Sequence, residues 1–347
     1  MTPHEKVVVI SDWDADGVVS AAMIVYSQEV IGKFPLNGRY RVKLLPASPR
    51  TILESVSGLG CHEAVVLLDI PYTSDVEKAL DYLKSVCEES TKIYYFDHHL
   101  STIENTARIE EKFDVYIVVG KSPTSILVKN FLERLHIRFP VRLVEFAKAI
   151  GILEKSARTE ANKQIVSIAA SISKLFNRDK SRDLWISYVR WLSSPLPFEK
   201  PPMYSITGDP LKAGMEASRE LDAEAKNLAM ELIFKAKNLG YVKFVDARSK
   251  RGKGSIMGVV SALYKMVKFP IAVLVSKNTG ETLLVIRSPD KRAKRLAEKL
   301  ANEGLLEDVG GHETLTVSKV KDGIDIKDLE EALRKASLET SRSRYTA

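Results

Sequence analysis

Short apolar runs ended by polar turns dominate the first third of the chain. Val7–Ser11 (VVVIS), Ala64–Leu68 (AVVLL), 92–96 (KIYYF) and Val115–Val119 (VYIVV) are apolar without alternation, a pattern that predicts strands covered on both faces, as in a parallel sheet. Helical spacing follows three of them, over 17–30, 74–88 and 125–135. Strand, polar turn and helix in repeated order predict an α/β domain with a mainly parallel sheet. Ligands of such sheets gather outside the carboxyl ends of the strands.

Beyond this region the pattern changes twice. Residues 142–191 carry apolar positions three and four apart and predict helices, and the Pro- and Ser-rich stretch SSPLPFEKPPMYSITGDP then ends the helical region. A long charged helix is expected over 211–237, with Met215, Leu221, Leu228, Ile233 and Phe234 as its packed face. A smaller C-terminal α/β unit follows. It comprises a strand at YVKFVDA, a basic turn over 248–254, a helix at SIMGVVSALYKM, two strands (IAVLVSKN and TLLVIRS) joined at Thr279-Gly280, and helices over 290–302 and 328–338. The expected domains are 1–195, a connector with a long helix over 196–238, 239–335, and a tail over 336–347.

Length supports more than one core, since the chain has 347 residues. Apolar residues at 45% and charged residues at 28% fit a globular rather than a disordered chain. The start, MTPHEKVVVISDWD, shows no long apolar leader, and no apolar run reaches the length of a membrane span, so a cytoplasmic protein without membrane contact is expected. Two cysteines, Cys61 and Cys87, are too few for a thiolate zinc or iron–sulfur centre, and no disulfide is expected to hold the fold. Lys and Arg number 52 against 45 Asp and Glu, a net charge of +7. That excess favours a polyanionic partner; a solvated Lys/Glu-rich surface accounts for it equally.

Four groups of residues carry candidate chemistry. Asp12, Asp14 and Asp16 in SDWDADG crowd three carboxylates into five residues, which is costly unless cations offset the repulsion. Extended backbone persisting through the turn would point all three to one side, and Gly17 would let the next helix start close by. The alternative is an N-capping aspartate with solvated neighbours; a calcium loop of the EF-hand type lacks its glutamate. Asp97-His98-His99 follows the strand KIYYF and uses two of the six histidines, a carboxylate–imidazole set suited to manganese, zinc or iron. Asp69, also at a strand end, is the natural bridge between two ions about 4 Å apart, an arrangement that activates water at phosphorus. Gly310-Gly311-His312, with Arg287-Ser288, would allow close approach of a phosphate, or form a tight turn with an exposed histidine. Basic clusters at Arg248, Lys250, Arg251 and Lys253, and at Lys291, Arg292, Lys294 and Arg295, would contact phosphates without reading sequence.

SDWDADG, the isolated Asp69, YYFDHHLS and the later GGH together resemble the DHH phosphoesterase superfamily, with its N-terminal DHH domain and C-terminal DHHA1 domain, over about residues 6–320. That family includes RecJ-like single-strand exonucleases, oligoribonucleases and cyclic-dinucleotide phosphodiesterases. The resemblance implies two divalent cations, manganese in preference or magnesium, with water as the nucleophile. It implies Asp14, Asp16, Asp69 and His98 as metal ligands, Asp97 and His99 as supporting or substrate-contacting residues, and Arg287 and His312 as phosphate contacts. Three departures stand out. Asp12 replaces the usual histidine. Gly151-Ile152 is followed by Leu153-Glu154-Lys155 where an aspartate ligand is usual, so either Glu154 would stand in by a one-residue displacement or Lys155 would replace a cation's charge. Glu313-Thr314-Leu315 replaces the usual small residues after His312.

These departures resemble a divergent archaeal RecJ-like subgroup that degrades single strands from the 3′ end and associates with repair helicases or replication factors. The leading expectation is therefore an exonuclease on single-stranded DNA or RNA, with a second copy of the chain as a further candidate partner. An oligoribonuclease or cyclic-dinucleotide phosphodiesterase is the second expectation, and a weakly catalytic helicase- or replisome-associated binding protein the third.

Overall fold

The computed structural model describes residues 6–87, 91–154, 160–178, 180–196, 210–249, 256–276, 280–288 and 290–342. Its contacts divide the chain into two units, Met1–Ser218 and Arg219–Ala347. Lys155, Lys250, Arg251, Lys253, Thr279 and most of the Pro-rich connector lie outside the described residues, as do the side chains of Met215 and Leu221.

The first unit contains β1 (Val7–Ser11), α1 (Ala15–Val25, continued by a π-helical turn over Tyr26–Ile31), β2 (Val42–Pro46), α2 (Ile52–Val56), β3 (Ala64–Leu68), α3 (Ser74–Val86) and β4 (Lys92–Asp97). It continues with α4 (Leu100–Glu104), α5 (Thr106–Phe113), β5 (Val115–Val119), α6 (Thr124–Arg134), α7 (Val141–Leu153), α8 (Lys163–Arg178) and α9 (Arg182–Ser193). The strands form a parallel sheet in the order β2-β1-β3-β4-β5.

Both faces of this sheet are covered, which is why its strands read as unbroken apolar runs. Val7 and Val9 of β1, with Val66 and Leu68 of β3, face a core built with α1, α6, α7, α8 and α9; Val8 and Ile10, with Val65 and Leu67, face a core built with α2, α3 and α5. Each of these fully buried aliphatic side chains contributes roughly 1.5–3 kcal/mol. The order of strand addition reverses at β1: β2 lies to one side of it, and β3, β4 and β5 add on the other. This is the switch point at which doubly wound sheets open a crevice.

Cys61 and Cys87 form a disulfide with Cα atoms 4.8 Å apart, contrary to the expectation of none. A strand followed by an antiparallel helix returns the chain to the end where it started. Cys61, just before β3, and Cys87, just after α3, therefore meet at the end of the sheet opposite to Asp69.

The second unit holds the end of α10 (Pro210–Ile233), β6 (Lys237–Asn238), β7 (Lys243–Asp246), α11 (Ile256–Val267), β8 (Ile271–Ser276), β9 (Thr282–Arg287), α12 (Ala293–Asn302), β10 (Gly310–His312), β11 (Leu315–Lys319) and α13 (Ile326–Arg342). Its mixed sheet runs β10-β11-β9-β8-β7-β6, with β7 and β8 parallel and the other pairs antiparallel. α10 and α11 cover one face, α12 and α13 the other. Among the described side chains of α10, Ala225, Ala229 and Leu232 are buried. Phe234, expected on the packed face, is 90% exposed because the helix ends at Ile233 and the chain turns away.

Candidate metal centre

The acidic loop begins one residue beyond β1. Asp12 N–H donates to the Leu68 carbonyl at 3.2 Å, tying the end of β1 to the end of β3, and Asp69 N–H donates to the Phe96 carbonyl at 3.0 Å, tying β3 to β4. All three sequence motifs thus leave the sheet side by side at the switch point.

Extended backbone does not persist through SDWDADG. Asp14 is the N-cap of α1, its Oδ1 accepting from Gly17 N–H at 3.0 Å, and Asp16 already lies in the first helical turn. Helix formation, not strand alternation, therefore sets the directions of Asp14 and Asp16. Gly17 is required for close approach, since a Cβ there would lie 2.3 Å from the Asp12 carbonyl oxygen. α8 braces the loop from outside: Ser173 Oγ accepts from Ala15 N–H at 2.9 Å, and the Trp13 ring packs 6.3 Å from that of Phe176.

Asp16, Asp69 and His98 meet, with ligand atoms within 4.8 Å of one another. His98 Nε2 lies 3.3 Å from Asp69 Oδ1. Asp16 and Asp69 are buried, at 3% and 2% exposure, and no Lys or Arg pairs with either among the described ion pairs. Their hydrogen bonds come from the start of α6. Asp16 accepts from the backbone N–H of Thr124 (2.7 Å) and of Ser125 (2.9 Å), and Asp69 accepts from Thr124 Oγ1 (2.9 Å). Asp69 adopts the left-handed backbone conformation, φ +60°, uncommon for any residue with a Cβ and a mark of functional constraint.

Electrostatics reflect this crowding. Burial, then the charge of Asp14, pushes Asp12 up to about 7 and Asp16 up to about 6; burial, then Asp16 and Asp14, raises Asp69 well above the carboxylate range. Glu154, at the end of α7, is also raised, by desolvation and then by Asp14. Its carboxylate thus senses the centre, although it is not among the groups gathered within 4.8 Å. Buried, mutually repelling oxygens beside an imidazole are a donor set that fits a divalent cation of the manganese or magnesium type.

Asp97 and His99 form a separate pair. His99 Nδ1 lies 2.7 Å from Asp97 Oδ1, Thr102 Oγ1 donates to Asp97 Oδ2, and Tyr72 N–H donates to Thr102 Oγ1 at 2.8 Å. Burial alone would lower the His99 imidazole, but the Asp97 charge and hydrogen bond raise it to about 9. Burial would conversely raise Asp97, and His99 and Thr102 hold it below the usual range. Asp69, Asp97 and His99 also come within 4.8 Å of one another, and both Asp97 oxygens accept hydrogen bonds, from His99 and Thr102.

Thr102, Thr124, Ser125 and Ser173 were not singled out in the sequence. The only signal for the two at α6 was the polar Gly-Lys-Ser-Pro-Thr turn after β5, which by itself marks a helix start.

In the second unit, Gly310-Gly311-His312 is the edge strand β10 of a hairpin with β11. Gly311 has φ +109°, and a Cβ there would lie 2.4 Å from the Leu315 carbonyl oxygen. His312 is in register with Leu315, which is in register with Arg287, so the three share one row across the sheet. Arg287 Nη1 donates to Ser261 Oγ at 2.5 Å, and its guanidinium lies 5.2 Å from the Tyr264 ring centroid. Ser288 is fully buried with its hydroxyl donating to Asp290. Lys291, Arg292 and Lys294 are engaged by Glu313, Asp290 and Glu298. Arg251 and Lys253 lie outside the described residues.

The architecture is that of the DHH and DHHA1 domains. RecJ from Thermus thermophilus, solved in complex with Mn2+, is similar at TM-score 0.64 and 14% identity, covering 96% of this chain and 52% of its own. The DHH domain of a member of the s1p family of ribosomal proteins is similar at TM-score 0.62 and 17% identity, covering 96% and 87%. A pGpG-specific phosphodiesterase from Vibrio cholerae is similar at TM-score 0.52 and 13% identity, covering 96% and 99%. The chain thus spans about half the length of the Thermus RecJ. At these identities the likeness is one of fold. No family model and no curated protein matches the chain by sequence.

Proposed function

We propose that this chain is a metal-dependent phosphodiesterase that removes nucleotides from single-stranded DNA or RNA, from the 3′ end. The observation that carries this reading is the meeting of Asp16, Asp69 and His98 at the switch point of a parallel sheet, beside the Asp97–His99 pair. Asp14, Asp16, Asp69 and His98 would hold one cation. Asp12 and Glu154, which flank Asp14, are the groups for a second, manganese in preference to magnesium. Divalent cations bound there would lower the pKa of water and offset the charge that gathers on phosphorus-bound oxygens.

The chain's own groups do the remaining work. His99, with Nδ1 turned to Asp97 at 2.7 Å, would offer its other ring nitrogen, Nε2–H, to a phosphate oxygen. Thr102 holds Asp97 so that this donor keeps its direction. In the second unit Arg287 and His312, on one row, are the proposed contacts to a further phosphate, and Arg251 and Lys253 add charge.

A second reading draws on the likeness in fold to the pGpG-specific phosphodiesterase. Under that reading the substrate is an oligonucleotide of a few units. Single-stranded DNA and RNA of several lengths, labelled separately at the 5′ and 3′ ends, would be incubated with Mn2+, Mg2+ or chelator. Shortening of long strands from the 3′ end in Mn2+ is expected. Hydrolysis confined to the shortest substrates selects the second reading. Binding without hydrolysis in either cation overturns both and leaves a scaffold for a repair helicase or replication factor.

A further inference from the structure

The first N–H groups of a helix have no partner within it. In α6, which starts after Pro123, those of Thr124 and Ser125 are spent on the two oxygens of Asp16. Thr124 also turns its hydroxyl the other way, onto Asp69 Oδ1, the oxygen that faces His98 Nε2. Thr124 is fully buried. A single residue therefore grips two carboxylates that leave different strands and repel each other, one through its backbone and one through its side chain. The backbone grip is indifferent to substitution; the hydroxyl grip is not. Thr124 also restricts its own hydroxyl, because branching at Cβ limits χ1.

We propose that Thr124 is a positioning residue that fixes the spacing between Asp16 and Asp69, and so sets both the affinity of the centre and its preference for small divalent cations over calcium. The inference rests on the reading that Asp16, Asp69 and His98 hold a cation. Without the hydroxyl, Asp69 can rotate away from Asp16, which loosens the cradle and admits the larger, less demanding calcium ion.

The test compares the full chain with Thr124→Val, nearly isosteric but without the donor, and Thr124→Ser, which keeps it. Calorimetric titrations with MnCl2 and with CaCl2 would be run beside thermal denaturation in EDTA. Groups that orient metal ligands typically govern affinity 10- to 100-fold, so Thr124→Val should bind Mn2+ about that much more weakly, while Thr124→Ser stays within about threefold of the parent chain. The ratio of Mn2+ to Ca2+ affinity should fall in Thr124→Val and hold in Thr124→Ser. A Thr124→Val protein with the parent's Mn2+ affinity and ratio overturns the proposal and leaves the metal-centre reading standing. Equal losses in both variants, with lower melting in EDTA, assign Thr124 to the fold alone and also overturn it. A parent chain that binds no Mn2+ overturns the metal-centre reading, and this inference with it.

Discussion

Asp69 combines a left-handed backbone, near-complete burial and a charge facing those of Asp16 and Asp14. Asparagine keeps its shape, tolerates φ > 0 and can still accept from Thr124. Asp69→Asn should therefore melt higher than the parent in EDTA while losing both the rise in melting temperature that Mn2+ gives and the hydrolysis of labelled strands. A variant that melts lower in EDTA would mean that repulsion at Asp69 is not a cost to the fold. The same crowding fixes a pH dependence. A carboxyl raised in the folded chain stabilises it while protonated, and that contribution disappears as pH rises through the folded value. Asp12 and Asp16, at about 7 and about 6, and Asp69, raised well above the carboxylate range, all act in this direction, as does His99, whose contribution is lost toward about 9. Asp97, held low, works oppositely only in acid. Metal-free protein should thus melt higher near pH 5 than near pH 8, and Mn2+ should restore stability at the higher pH. Flat melting temperatures across that range in chelator would contradict the shifts.

Secondary structure was most legible where burial on both faces left unbroken apolar runs, as in β1, β3, β4 and β5. β2 escaped notice because Val42–Pro46 follows Arg39-Tyr40-Arg41, carries Lys43 and ends in proline, so no apolar run stands out. α1 begins at Ala15, before the expected position 17, which places Asp16 in its first turn, where it accepts from the start of α6. Gly310-Gly311-His312 reads as a loop in sequence but is a strand, because glycine alone permits the approach to β11. Gly311→Ala should destabilise the hairpin by about 2 kcal/mol, through a left-handed alanine and a methyl group driven against a carbonyl. Urea denaturation followed by signals from the second unit would detect this, with metal binding to the first unit unchanged. An unchanged urea midpoint would show that the hairpin relaxes at no cost.

Across the whole chain, convergence of the motifs was readable because strand ends of a parallel sheet share one edge; what closes the centre was not. The donors from Thr124 and Ser125 come from a turn whose composition signals only a helix start, and the Thr102 relay to Tyr72 depends on tertiary packing. The disulfide was hidden by a separation of 26 residues, although the return of a helix to the base of its strand brings such pairs together. Closing a loop of that size restricts the unfolded chain by about 3–4 kcal/mol. Cys61→Ser with Cys87→Ser should lower the melting temperature of the first unit in non-reducing buffer. Because the bridge lies at the end of β3 away from Asp69, Mn2+ affinity measured below the transition should stay unchanged. A loss of affinity in the folded double variant would mean that the base of the sheet governs its top.

The link between Asp16 and the start of α6 spans more than a hundred residues of chain. During synthesis, every acid and imidazole of the Asp16, Asp69 and His98 trio has left the ribosome well before residue 124 emerges. A nascent polypeptide at that stage carries the carboxylates without the donors that hold them apart at a fixed distance. Completion of the trio's surroundings then becomes a late event in biogenesis, and a polypeptide ending before α6 lacks the donors that order Asp16 and Asp69.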